Sequence, residues 1–334
     1  MDSYERVLGC FYGAAIGDTM GAATETMTPQ MILDRYGAYV DRLFAPGDGT
    51  FGAGCPAGFV TDDFSLAYFT ALEILKTPDG PISDKTAQTA LLNWSTYPEY
   101  FRFAGPSTRA AIQEILGQPI PRTPVVLACD NSRASNGSAM KIFPAGLKNP
   151  GDPVGAVADA ITLCKPTHNN TASLSAACAI AAAVSAAVTG ASLPEVFDAG
   201  FYGAREGARH GAPVSVASVE KRMELAISIA RKGFGWERTM LELGDVVGAG
   251  LNANEAVPCV FGILTATNAE AMSAIKMGVN IGNDTDTIAT MAGAIVGAMH
   301  GASVFPEEMC RTIVSVNKMD IPAAAKAFTE VFYQ

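Results

Sequence analysis

The 334-residue sequence predicts an all-α fold, one compact multi-helix domain spanning residues 1–334. Three observations predict it. Apolar residues recur at helical spacing from the first residues to the last. Strict apolar–polar alternation, the mark of half-buried strands, is nearly absent. No long polar linker separates stretches of different composition. With 49% hydrophobic and 17% charged residues the chain has ample material for a core and is unlike a disordered one.

The expected helices run, in order, over residues 3–24, 63–77, 84–95, 105–117, 154–164, 170–190, 193–209, 217–232, 236–247, 255–266, 268–278, 286–301, 306–316 and 321–332. Glycine- and proline-rich stretches at 45–60, 118–136 and 145–153 read as loops. In the first helix Gly9, Gly13, Gly17 and Gly21 fall four apart, and near the end of the chain Ala289, Gly293, Gly297 and Gly301 repeat the spacing. Residues four apart share one helix face. Each glycine costs a helix roughly 1 kcal/mol against alanine, so a repeated stripe implies close backbone approach to a neighbour. The segment from Asn169 to Pro194 carries no charge. Its alanine- and serine-rich content favours a buried helix of a soluble bundle over a membrane span.

Charge and cysteine usage narrow the function classes. A net charge of −10 and a pI near 4.8 argue against nucleic acid or an anionic membrane as the main partner. Seven cysteines with no CxxC pair suggest reduced thiols in a cytoplasmic protein, not a disulfide framework or zinc site. The opening "MDSYERVLGC" has no apolar signal-peptide core.

Two clusters of oxygen-bearing side chains stand at expected helix starts. Thr61, Asp62 and Asp63 precede one apolar pattern, and Asp284, Thr285, Asp286 and Thr287 precede another. N-capping would explain one such residue per helix. It does not explain four aspartates with Thr61 and Thr287. A hard cation does: magnesium and calcium take oxygen ligands, and carboxylates crowded together repel one another unless cations lie between them. That repulsion points to two ions.

The stretches "GCFYGAAIGDTMGAATE", "TDDF", "SNGSAMKIFP", "PTHN" and "GNDTDTIATMAGAIVGA" occur in this order. From about Arg6 to Gly301 the chain thereby resembles the ADP-ribosylglycohydrolase family. The resemblance implies an all-helical fold with a binuclear magnesium centre in a central cleft, manganese being a substitute ion. It also implies hydrolysis of a glycosidic bond at C1 of a ribose, in an ADP-ribosylated protein or a small ribosyl molecule. The implied metal ligands are Thr61, Asp62, Asp63, Asp284, Asp286 and Thr287. The implied catalytic carboxylates are Asp62, Asp63 and Glu25, the last on a loop that gates the metals. Gly105, Ser107 and Thr108, with Ser135, Asn136, Gly137 and Met140, match loops that hold phosphates and the distal part of the ligand. His168 lines the same cleft, and 248–258 is a further cleft-side loop. His210 and His300 read as ordinary structural histidines, Trp94 and Trp236 as packing residues.

Two positions depart from the family pattern. Phe64 replaces a small hydroxyl residue, leaving it to enter the core or to narrow the cleft. No aromatic stands between Leu127 and Lys141 to stack an adenine. A nucleoside or ribosyl phosphate is therefore a second candidate substrate. The motifs would also suit a non-catalytic ADP-ribose binder or a purely structural family member.

Overall fold

A computed structural model describes residues 1–119 and 127–333. In chain order its helices are α1 (Ser3–Gly21), α2 (Pro29–Tyr36), α3 (Asp62–Lys76), α4 (Asp84–Ser95), α5 (Pro98–Phe101), α6 (Pro106–Ile115), α7 (Phe143–Lys148), α8 (Pro153–His168), α9 (Thr171–Ala187), α10 (Leu193–Gly207), α11 (Val219–Ala230), α12 (Trp236–Val246), α13 (Ala253–Ala266), α14 (Ala271–Asn280), α15 (Thr285–His300), α16 (Glu307–Asn317) and α17 (Ile321–Phe332). Among the described residues β structure is limited to two isolated bridges, Ser135 with Asn252 and Asn170 with Ala212. The all-α expectation holds, and buried side chains from α1 through α17 join in one core.

The two glycine stripes face each other. α1 and α15 run antiparallel with backbones in direct contact: a Cβ on Gly13 would lie 2.0 Å from the carbonyl oxygen of Gly293, and one on Gly297 2.0 Å from that of Gly9. Gly17 meets the Ala289 carbonyl in the same way, and Gly21 meets the backbone of Asp286. The stripes therefore place the C-terminus of α1 beside the N-terminus of α15.

The uncharged alanine-rich segment forms α9, buried along nearly its whole length. It is clasped by Gly203 and Gly207 of α10, whose missing Cβ atoms leave room for the Cys178 and Leu174 carbonyls. No helix among the described residues is long and apolar enough to cross a membrane.

Several boundaries differ from expectation. α1 ends at Gly21 rather than residue 24, so Thr24 and Glu25 lie on the following turn. α8 continues past Pro166 to His168. α14 starts only at Ala271, because Asn268 and Ala269 take positive φ and Glu270 caps the helix. The loop expected at 145–153 begins as helix α7, where Pro144 occupies the tolerant first turn and Gly146 abuts the Ala181 carbonyl. α2 also forms, capped by Thr28 with Pro29 behind it. Part of the loop expected at 118–136, residues 120–126, lies outside the described residues.

Candidate metal centre

Three chain segments converge: the C-terminus of α1 with its following turn, the N-terminus of α3, and the N-terminus of α15. Side-chain and backbone hydrogen bonds fix the turn before α15. Asn283 adopts φ 64°, a left-handed conformation that asparagine tolerates. Its N–H donates to the Met27 carbonyl and its own carbonyl accepts from Thr26 N–H, both at 2.8 Å. Asp284 N–H donates to the Ala249 carbonyl at 3.0 Å. The Thr285 hydroxyl donates to the Gly21 carbonyl at 2.9 Å, and that of Thr24 to the Val279 carbonyl at 2.6 Å. Thr285 thus locks α15 to the end of α1, which is why it stands apart from the other three oxygen residues of its motif.

The acidic side chains point inward. Asp284 occupies the N-cap position of α15, yet its side chain makes no capping bond. Instead one oxygen accepts from the Asn136 amide. Carboxylate oxygens of Glu25, Asp284 and Asp286 all lie within 4.8 Å of one another, and all three residues are buried. Ligands on opposite sides of one magnesium or calcium ion stand roughly 4–5 Å apart, so this group fits a single cation. Across from it, Thr61 caps α3, accepting from Asp63 N–H at 3.3 Å, and its hydroxyl lies 3.2 Å from Asp63 Oδ2. The other Asp63 oxygen, Oδ1, is buried without a hydrogen-bond partner. Thr287 lies near both Asp63 and Asp284 and favours their charged forms. An orphaned carboxylate oxygen beside so many others is what a cation site leaves when described without its ion. The donor set fits magnesium.

Electrostatics agree. Burial, then the neighbouring Asp284 and Asp62, pushes Glu25 up to about 9. Burial, then Asp18, pushes Asp62 up to about 8. Burial raises Asp284 and carries Asp63 and Asp286 well above the carboxylate range, with nearby carboxylates adding to the rise for the latter two. Without a cation Glu25 and Asp62 hold protons at neutral pH. Asp62 alone among the five remains partly exposed.

The expected distal-ligand residues form the adjoining wall. Asn136 N–H donates to the Leu251 carbonyl at 2.9 Å, and Ala253 N–H to the Ala134 carbonyl at 3.0 Å, so the start of α13 and the turn before it brace the asparagine–glycine segment; the loop expected at 248–258 is helical from Ala253 on. The Ser135 hydroxyl pairs with His168 Nε2 at 2.9 Å, and a Cβ on Gly137 would press on the same imidazole at 3.1 Å. Burial, then Lys141 and Arg133, lowers His168 to about 3 and keeps it neutral. Its Nδ1 is buried with no partner. Met140 is buried beside this loop. Gly105, Ser107 and Thr108 open α6, whose N-terminus has no side-chain cap, and a Cβ on Gly105 would meet nothing within 4 Å. Arg109 of the same helix lies close enough to Asp62 to oppose the rise in its pKa.

Phe64 points into the core. It is fully buried against Phe11, Phe143 and Tyr68, with ring centroids 6.4, 6.3 and 6.1 Å away. His300 Nε2–H donates to the Ala269 carbonyl, 2.9 Å away, and Trp94 donates to Ser65 through its indole N–H. Sequence reasoning missed Asp18, fully buried in α1 with both oxygens on the α3 backbone. A charged residue in the buried, glycine-striped part of α1 was the available signal.

The sequence model of the ADP-ribosylglycohydrolase family matches residues 1–334. The uncharacterized protein YegU of Escherichia coli (strain K12) is 31% identical over 333 residues, covering 98% of this chain and 97% of that protein. ADP-ribosyl-[dinitrogen reductase] glycohydrolase of Rhodospirillum rubrum is 30% identical over 177 residues, 52% of this chain and 55% of the relative. A solved ADP-ribosylglycohydrolase-related protein complex shares the fold, with a TM-score of 0.67 at 22% identity and 98% coverage of both chains.

Proposed function

The chain belongs to the ADP-ribosylglycohydrolase family, and on that footing we propose that it is a magnesium-dependent hydrolase of the glycosidic bond at C1 of a ribose, acting on an ADP-ribosylated protein or small molecule. The observation that carries this reading is the buried group of Glu25, Asp284 and Asp286 with the orphaned Asp63 oxygen beside it. We read residues 1–334 as one functional unit, and its seven free cysteines suit the reducing cytoplasm.

Thr61, Asp62, Asp63, Asp284, Asp286 and Thr287 would hold two magnesium ions, or manganese in their place, and Glu25 is placed to join them. Bound there, the ions supply Lewis-acid polarisation of ribose oxygens and stabilise developing charge. Asp62 is the carboxylate with access to solvent, so among Asp62, Asp63 and Glu25 it is best placed to move a proton between water and the leaving group. Asn136 orients Asp284 through its amide. Ser135 and neutral His168 pack against Gly137 and would hold this segment against the distal part of the substrate. The uncapped N–H groups at Gly105, Ser107 and Thr108 offer a second phosphate contact.

The test is release of ADP-ribose from an ADP-ribosylated arginine substrate, with magnesium and with a chelator. Turnover that needs magnesium supports the reading. Tight ADP-ribose binding without turnover would make the protein a binder, and neither binding nor turnover would leave the structural role. A smaller ribosyl substrate is the second reading, favoured by the lack of an aromatic between Leu127 and Lys141. Equal affinity for ADP-ribose and ribose 5-phosphate in magnesium would support it. A hundredfold preference for ADP-ribose, roughly 2.7 kcal/mol, would exclude it.

A further inference from the structure

We propose that Asp18 is a positioning residue that holds the α3 half of the metal centre in register with the α15 half. The inference rests on the metal reading above. α15 is registered on α1 by backbone contact along the glycine stripes. α3 carries Thr61, Asp62 and Asp63 and has no such stripe against α1. What joins it to α1 at the site is the Asp18 carboxylate. The Thr61 N–H is shared between its two oxygens at 3.0 Å each, and the Phe64 N–H donates to Oδ2 at 3.0 Å.

These two amides are the ones a capping box would satisfy. In that motif the N-cap side chain accepts from the third helical N–H, and the third residue's Glu or Gln reaches back to the N-cap N–H. Thr61 is the N-cap and Phe64 the third helical residue. Phe64 has no polar atom to reach back with, and its ring is committed to the core. Asp18 makes both bonds from another helix. Because one remote carboxylate serves both amides, neither the Asp62 nor the Asp63 carboxylate is drawn into them. The same bonds fix the α3 backbone to the helix that aligns α15. A metal centre tolerates misplacement of only about 0.5 Å, and Asp18 is the bond by which the two halves share one frame.

The experiment titrates magnesium into the full-length protein by calorimetry and pairs it with melting of the metal-free form. Asp18→Asn leaves one accepting oxygen for two N–H groups. The expected result is magnesium affinity at least tenfold weaker, with rescue absent at saturating substrate. The control is Ser65→Ala, which removes the Trp94–Ser65 bond of the same helix and should leave magnesium affinity unchanged. Equal weakening in the control, or a lower melting point in Asp18→Asn with unaltered magnesium affinity, would reduce Asp18 to a general structural role and overturn the proposal. No magnesium binding by the unaltered protein would overturn the metal reading with it. Should Asp18→Asn not fold, hydrogen exchange on the unaltered protein decides: slow exchange of the Thr61 and Phe64 amides without magnesium is expected, and fast exchange overturns the inference.

Discussion

Asp284 starts a helix without capping it, which leaves its carboxylate free for the proposed ligand role. A capping aspartate spends its oxygens on the first-turn amides. Asp284 turns its side chain to the Asn136 amide and the neighbouring carboxylates of Glu25 and Asp286 instead. Removing a carboxylate from this cluster should therefore cost binding and not fold. Asp286→Ala is expected to abolish measurable magnesium binding and magnesium-dependent turnover, while the helical circular-dichroism spectrum and melting point of the metal-free protein hold or improve, since one of several mutually repelling acids is gone. Unchanged magnesium affinity in this variant would refute the ligand assignment. At this scale the two acidic motifs were legible in the sequence, because four aspartates at two helix starts exceed what capping requires. Asp18 was not legible. An acid in the buried apolar part of a helix shows no partner in its own neighbourhood, and the amides it serves lie more than forty residues downstream, at Thr61 and Phe64.

The helix pair α1 and α15 turns an ordinary propensity rule around. In an isolated helix, replacing glycine by alanine gains roughly 1 kcal/mol. At Gly13 the added Cβ would lie 2.0 Å from the Gly293 oxygen, which is backbone and cannot swing aside. Gly13→Ala should therefore destabilise by roughly 1–3 kcal/mol or more, the cost of overpacking. Gly244, inside α12, is the matched contrast: the nearest atom to its Cβ would be the Ile281 oxygen at 3.5 Å, ordinary contact. Gly244→Ala should leave stability unchanged or raise it by up to roughly 1 kcal/mol. Urea melts of the two variants check the pair, and a stable Gly13→Ala would defeat the close-contact account. The stripes were visible as spacing, but spacing names a face and not the face opposite. That the two stripes mate with each other needed the folded chain. The short helices α2 and α7 were hidden for another reason, since proline and glycine that open or pack a helix read locally as loop.

For the molecule as a whole, the acidic cluster couples stability to pH and, in the proposed reading, to magnesium. Glu25 near 9 and Asp62 near 8 stand above the ordinary carboxylate values of the unfolded chain. A raised folded-state pKa contributes stability that is complete below the unfolded pKa and lost as pH rises through the folded one. The metal-free protein should accordingly melt at lower temperature as pH rises from about 6 to about 9, apart from contributions elsewhere in the chain. Saturating magnesium should flatten or reverse that slope, because the cation takes over the role of the protons. A metal-free melting point that rises across this window would show that the cluster ionises freely. The overall fold was legible from helical periodicity and the absence of alternation, whereas the arrangement that makes the cluster depends on contacts between residues more than two hundred positions apart, such as Thr24 with Thr285. The most direct test of the centre is calorimetric titration of magnesium into the metal-free protein at pH 7, repeated in two buffers of different ionisation enthalpy. Buried carboxylates that hold protons until a cation displaces them predict binding with net proton release, seen as a buffer-dependent heat. Absence of magnesium binding, or binding with the same heat in both buffers, would contradict the account.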